Sequence, residues 1–341
     1  MGGYAVPAFF IISGFYMSLI LTTKYEGRER LWLFYSNRAL RLFPVYWALL
    51  LIFALLALTR FDVWPLSQIA IAARNPLSLA TDGTTPSLWA AIPNLTFVGS
   101  DVFRVLMVDL QSMTLVPWTR GLVEGATHRG AYQYLVAPHI WSLGVEIIFY
   151  AIAPFAVRLS TGRMILLLMA LCALQFSIHW MANGRLGWFH LLAPYCLCYF
   201  VTGMVAHRVW PRVEGHVGTF ARQALMVLPF LLWAFWQVIP MSGATTWVLW
   251  LLFAAALPCL FQATKNSRLD ARISAYSYPV YLCHTLFTWP MLRLGEWAGI
   301  AALALSVGLS WLLIRFIDEP VEAWRQRRAA RTGPAASGSR S

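Results

Sequence analysis

The sequence predicts an all-α protein, a polytopic transmembrane bundle of nine spans. Three observations predict it. Of 341 residues, 59% are apolar and only 12% charged, with a mean hydropathy of +0.62, where soluble domains carry about 25% charged residues. The apolar residues gather into runs of about the 20 residues that a helix needs to cross a bilayer core. These runs fall at 5–23, 42–59, 140–157, 164–181, 188–207, 223–240, 245–263, 273–292 and 298–314. Across all of them the one Asp, Glu, Lys or Arg is Glu146. A large soluble helical protein would need amphipathic stripes with charged outer faces, and no such stripes occur.

The connections alternate in charge. Lys24, Arg28, Arg30, Arg38 and Arg41 follow the first run, and Arg158 with Arg163 follows the third. Arg208, Arg212 and Arg222, then Lys265, Arg268 and Arg272, repeat the pattern, and the tail adds Arg315, Arg325, Arg327, Arg328, Arg331 and Arg340. Together these are 19 of the 26 basic residues, all on one side of the alternation. Positive loops stay on the cytoplasmic side, so residue 1 is expected outside and the tail inside. The net charge of +12 is then a topology signal with affinity for anionic lipid. The bilayer is the expected partner. Nucleic acid is not, because no basic soluble domain exists to hold it.

The one long connection, 60–139, carries a turn-rich "NPLSLATDGTTPS" (75–87) and apolar pieces too short or too interrupted to cross. It is expected on the outer side as a cap. Residues 1–325 form the membrane domain, and 326–341 form a disordered basic cytoplasmic tail. The five cysteines (172, 196, 198, 259, 283) all lie in predicted spans; they read as small packing residues, without a disulfide framework or a metal site.

Three stretches can carry chemistry. Glu146 sits mid-span, where an acid costs about 2.5–3.5 kcal/mol and usually faces a bundle interior or a wet cavity. Ser142, Glu146 and Tyr150 share one helix stripe at i, i+4, i+8, and Trp141 suits an interfacial aromatic. A packing acid is the plainer reading of Glu146; an acid lining a site is the functional one. Arg38 and Arg41, spaced i, i+3 at the mouth of the second run, suit a phosphate or pyrophosphate, although membrane anchoring explains them too. In "SAYSYPVYLCHTLF" (274–287) Ser277 before Tyr278 and Pro279 looks like a helix start. Tyr278, Tyr281 and His284 then recur on roughly one face, where a lone His can equally be a cross-helix hydrogen-bond partner.

Taken together, these stretches resemble the acyltransferase-3 family of multi-pass membrane acyltransferases. "VPAFFIISGFYMSLIL" (6–21) resembles its Phe-Phe-x-x-Ser-Gly-Phe helix. "RALRLFPVYW" (38–47) resembles its Arg-x-x-Arg segment leading into a Pro-x-Tyr-Trp helix. "WSLGVEIIFYAIAP" (141–154) is similar to its Trp-Ser-Leu-x-Val-Glu signature, and "SYPVYLCH" (277–284) to its Ser-Tyr-x-x-Tyr-Leu-x-His. "IDEPVE" (317–322) is a loose form of its closing Ile-Glu-x-Pro.

The resemblance implies a ten-helix bundle in the cell (inner) membrane. Its members move an acyl group, usually acetyl, from cytoplasmic acyl-CoA to a hydroxyl of a sugar or other envelope molecule. Acyl-CoA is then the donor and a glycan or lipid-linked molecule the acceptor. Arg38 and Arg41 would meet the CoA phosphates, and Glu146 with Trp141 would line the central site. His284 and Tyr281 would add polar groups, with Ser142, Tyr150 and Tyr278 toward the substrate. In the family a proposed catalytic His lies in a helix that precedes the one corresponding to residues 5–23, and residues 1–23 hold no His. The expectation is a start recorded late or a fragment. The alternative is a non-catalytic membrane protein that binds acyl-CoA or glycan. A transporter reading, prompted by Glu146, lacks the inverted repeat or matched broken helices such proteins show.

Overall fold

A computed structural model describes residues 2–25, 30–58, 88–112, 114–118, 124–125, 127–181, 189–235 and 243–331. The stretch 75–87 and the tail beyond Arg331 lie outside the described residues. The chain divides into two compact units, Met1–Arg28 with Ser142–Asp270 and Glu29–Trp141 with Ala271–Ser341.

The first unit is helical. It holds α1 (Gly2–Thr23), α4 (Trp141–Ala156), α5 (Thr161–Met181), α6 (Ala193–Val213), α7 (Thr219–Ala234) and α8 (Gly243–Thr264). Helix α1 lies against α6, which also packs on α5 and α8. Two glycines set how closely α1 and α6 approach. A Cβ on Gly14 would stand 1.9 Å from the Phe200 carbonyl oxygen, and one on Gly203 would stand 2.0 Å from that of Ile11. Small residues let backbones touch where the solvent is lipid and helix contacts rest on van der Waals fit. Beside this crossing Phe10, Phe200 and Phe149 stack face to face, with centroids 4.4 and 4.1 Å apart. The outward side is apolar instead of charged: Phe220, Val227, Phe230 and Trp233 on α7 are all exposed. Arg208 closes the end of α4 by donating to the Val157 and Leu159 carbonyls, which have no partner further along that helix.

The second unit joins α2 (Leu31–Leu58) and α3 (Leu88–Thr96) to a small sheet, then α9 (Arg268–Met291), α10 (Ala298–Leu313) and α11 (Glu319–Arg331). A π-helical turn, Ile314–Asp318, links the last two, and Gly295 at φ 58° makes the corner between α9 and α10. The sheet has β1 (Leu106–Asp109) between β2 (Thr114–Pro117) and β3 (His128–Gly130), antiparallel throughout, so Met107 lies opposite both Val116 and Gly130.

Asn94 ties the 60–139 connection together. Its amide donates to the Ala90 and Tyr134 carbonyls at 2.8 and 2.9 Å, and its carbonyl accepts the Val136 N–H at 2.7 Å. Tyr46 and Trp47 of α2 donate to the carbonyls of Asn94 and Leu95. Phe97, wholly buried at φ 65°, sits on Phe43 and Tyr46 with centroids 5.3 and 4.3 Å away.

The all-α expectation holds. Described helices overlap each of the nine expected runs, and six described helical stretches are long and apolar enough to cross a membrane: Ala5–Thr23, Leu31–Leu56, Pro138–Ala156, Thr161–Trp180, Thr245–Thr264 and Gly295–Arg328. The helices at 188–207, 223–240 and 273–292 fall short of that mark by length or polarity.

Two boundaries differ from expectation. Helix α9 starts at Arg268, so Ser277 does not begin it. Inside the helix its hydroxyl bonds back to the Ile273 carbonyl at 3.4 Å. The charged 268–272 stretch is helix-compatible and continues the coil past the apolar window that sequence reading relied on. Likewise α11 runs to Arg331, making residues 326–331 of the expected disordered tail helical.

Candidate functional site

The Glu146 stripe forms as its spacing predicts. Ser142, Glu146 and Tyr150 lie along one side of α4 and are 2%, 3% and 7% exposed. The Tyr150 hydroxyl donates to Glu146 Oε1, and so does Ser13 Oγ of α1 at 3.3 Å. Two hydroxyls on one carboxylate oxygen answer part of the cost of burying it and fix the plane of the group. Ser13 was not singled out from the sequence. The signal was present, since it is the serine of "SGF" one residue before the glycine of the α1–α6 crossing.

In the second unit α9 presents Tyr278, Tyr281 and His284. The Tyr278 hydroxyl donates to the Leu42 carbonyl of α2 at 2.6 Å, a positioning bond. The Tyr281 hydroxyl donates to the carbonyl of His139 at 2.5 Å, and His284 Nδ1 lies 2.6 Å from the Tyr281 carbonyl. His139 belongs to the 3-10 turn Pro138–Ile140 that leads into α4. Its ring meets that of His284 with centroids 4.8 Å apart at 61°, and that of Tyr281 at 5.1 Å and 83°. His139 Nδ1 lies 3.3 Å from Thr285 Oγ1. Arg104 holds the turn by donating to the Pro138 carbonyl at 2.6 Å and lies over the Tyr132 ring at 5.1 Å. Burial pushes the Arg104 guanidinium below its ordinary range, partly offset by the nearby Tyr132 and Tyr281. His139 was not singled out from the sequence. Its place two residues before the Trp141–Glu146 signature was the available signal. Trp141 itself begins α4 directly after this turn.

Arg38 and Arg41 lie within α2, which begins at Leu31, and not at a mouth before it. Arg38 stands 5.9 Å over the Phe34 ring, and Arg41 is exposed and within electrostatic reach of Asp318. Arg328 of α11 donates to Ser36 and, at 3.2 Å, to Asn37 Oδ1, which brings further positive charge to this end of α2. Of the predicted residues, then, Glu146 and Tyr150 gather with Ser13, with Ser142 on the same side of α4; Tyr281 and His284 gather with His139; Arg38 and Arg41 share α2 with Ser36 and Asn37, which Arg328 holds.

Residues 1–315 match the acyltransferase-3 family model, described as an acyltransferase domain. The chain belongs to the acyltransferase-3 family. No curated protein and no solved structure matches it. With its apolar helices, the family identifies a multi-pass membrane protein of the acyltransferase class. In this acyltransferase-3 member the "SGF" run and the Trp-Ser-Leu-x-Val-Glu run, far apart in sequence, meet through the Ser13–Glu146 bond.

Proposed function

We propose that this protein moves an acyl group, acetyl foremost, from the thioester of cytoplasmic acyl-CoA to a hydroxyl of a sugar or other envelope molecule. It works in the cell (inner) membrane, with nine of its spans within these residues and its C-terminal tail in the cytoplasm. The observation that carries the reading is the family match over residues 1–315. The buried, doubly hydrogen-bonded carboxylate of Glu146 supports it, because an intramembrane acid is a costly group kept for function. Glu146 orients the reacting groups, with Ser142 and Tyr150 on the same stripe, and Trp141 serves the substrate from the start of the helix. Tyr278, Tyr281 and His284 serve the acceptor. Arg38 and Arg41 take the donor phosphates, which guanidinium pairs recognise in a bidentate manner.

The test is mass spectrometry of envelope glycans from cells with and without the gene, looking for loss of one acyl increment. The reading fails if no such increment depends on the gene. Glu146→Ala abolishes the increment while leaving expression intact. Arg38→Ala with Arg41→Ala raises the acetyl-CoA requirement more than the acceptor requirement. Wild-type behaviour in both variants discards the residue roles while leaving the activity standing.

A further inference from the structure

A helix ends with carbonyls that have no partner further along it, and lipid offers them none. Helix α3 ends at Thr96, and α2 supplies donors for its last turn. The Tyr46 hydroxyl reaches the Asn94 carbonyl at 2.6 Å, and Trp47 Nε1 reaches that of Leu95 at 3.0 Å. Nearby carbonyls are met from within the segment. The Phe97 N–H donates to Pro93 and the Ser100 N–H to Phe97, both at 3.0 Å, and Thr96 Oγ1 donates to Ile92 at 2.7 Å. Helix α2 sets the depth of this contact. Trp47 stands eleven residues before Leu58, the last of that helix, which at 1.5 Å per residue is about 16 Å. Residues 48–58 are all apolar, and Leu51 and Leu55 among them are 61% and 54% exposed, as a lipid-facing wall requires. In a hydrocarbon core about 30 Å thick, the end of α3 therefore lies near the middle.

The outward face of α3 and the turn after it is apolar as well. Ala91, Ile92, Leu95, Val98 and Val102 are exposed, and Ile92, Leu95 and Val98 each by more than half. Over residues 88–102 the one charged side chain is Asp101, which is buried. A cap resting in water would show polar groups outward and would meet α2 at its end. We propose that residues 88–102 are a re-entrant segment of the bilayer. They dip in beside α2 from the side where α2 ends, turn at Phe97 near the midplane, and lay Ile92, Leu95 and Val98 on lipid acyl chains. Irregular backbone survives at such depth where protein covers it, and Phe97 is wholly buried on Phe43 and Tyr46. A segment that enters and leaves on one side keeps the alternation of basic connections unchanged. Asn94, within it, binds the Tyr134 carbonyl and the Val136 N–H, so the segment also anchors the stretch that leads to His139.

The experiment reconstitutes the full, unsubstituted chain in liposomes of phosphatidylethanolamine and phosphatidylglycerol. A small share of the lipid carries a photoreactive diazirine, at the end of an acyl chain in one preparation and on the headgroup in another. After illumination, peptide mass spectrometry locates the adducts. The acyl-chain probe should mark 88–102, and also α5, where Leu166 and Met169 are 62% and 56% exposed and serve as the lipid-facing control. Adducts on α5 with none on 88–102, or adducts on 88–102 from the headgroup probe alone, overturn the proposal. A second readout compares Leu95→Cys with Gln111→Cys, a position exposed in the same connection, using a membrane-impermeant maleimide against the background of the five native cysteines. The thiolate that reacts forms poorly in hydrocarbon, so Leu95→Cys should label at least about 10-fold more slowly and match Gln111→Cys once detergent unfolds the chain. Equal rates in intact liposomes overturn the proposal too. Neither readout depends on turnover, so failure of the acyl-transfer reading leaves this inference standing.

Discussion

Substituting Gly14 by Ala tests the helix crossing that holds Ser13 on Glu146. The new methyl carbon would lie 1.9 Å from the Phe200 carbonyl oxygen, where a carbon–oxygen contact needs about 3.3 Å. Helix α1 must therefore withdraw by roughly 1.4 Å at this point, because the obstructing atom is backbone and cannot rotate aside. Overpacking of this kind costs up to about 3 kcal/mol. Loosening the Phe10–Phe200 stack, now at 4.4 Å, adds about 1 kcal/mol, and the better helix propensity of Ala returns about 1 kcal/mol. The net loss is about 3 kcal/mol. A matched control exists in Gly162, in the first turn of α5, whose added Cβ meets nothing within 4 Å. Heating detergent-solubilised variants and following the monodisperse fraction by size exclusion should show Gly14→Ala aggregating well below wild type and Gly162→Ala level with it. Acyl transfer by Gly14→Ala should fall as well, since Ser13 moves with the helix. Equal melting of the two variants refutes the close-contact account.

Two further changes probe the connection. Asn94→Ala removes the partners of the Tyr134 carbonyl and the Val136 N–H. That costs about 3 kcal/mol locally and speeds protease cleavage or amide exchange across 128–137; unchanged protection removes Asn94 from its organising role. Asp109 accepts the N–H groups of Gln111 at 2.8 Å and Ser112 at 3.4 Å, and these bonds, Gln111 foremost, hold its carboxyl below the ordinary 3.8. A depressed carboxyl contributes its stability above the unfolded value and loses it as pH falls through the folded one. Protection of the Gln111 N–H, relative to an unstructured amide at the same pH, should therefore fall below pH 3.8, and Asp109→Asn should flatten that dependence.

The helices were legible because burial in lipid demands uninterrupted apolar runs, and the Glu146 stripe was legible because one carboxylate stood out among them. Helix ends were less so. Arg268–Arg272 and the segment after Arg325 are polar but helix-compatible, so apolarity stopped marking the coil before the coil stopped. The sheet escaped notice because its strands are three or four residues long, too short to display alternation. Ser13 and His139 were hidden for a different reason. Each is an ordinary residue beside a noticeable motif, and its role comes from a partner more than a hundred positions away. Gly14 and Gly203 likewise declare themselves only when two helices are laid together.

Phe97 has a consequence for how the connection can be handled. A bulky residue in the left-handed backbone region carries about 1–3 kcal/mol of strain, and here the kink is held by stacking on Phe43 and Tyr46. Those two rings belong to α2, so the bend is imposed from outside the segment that contains it. Residues 88–139 are thus not a portable module. Excised as a peptide, or grafted between foreign helices, the chain would relax at Phe97 and lose its shape. A successful transplant must carry the aromatic rim of α2 along with it.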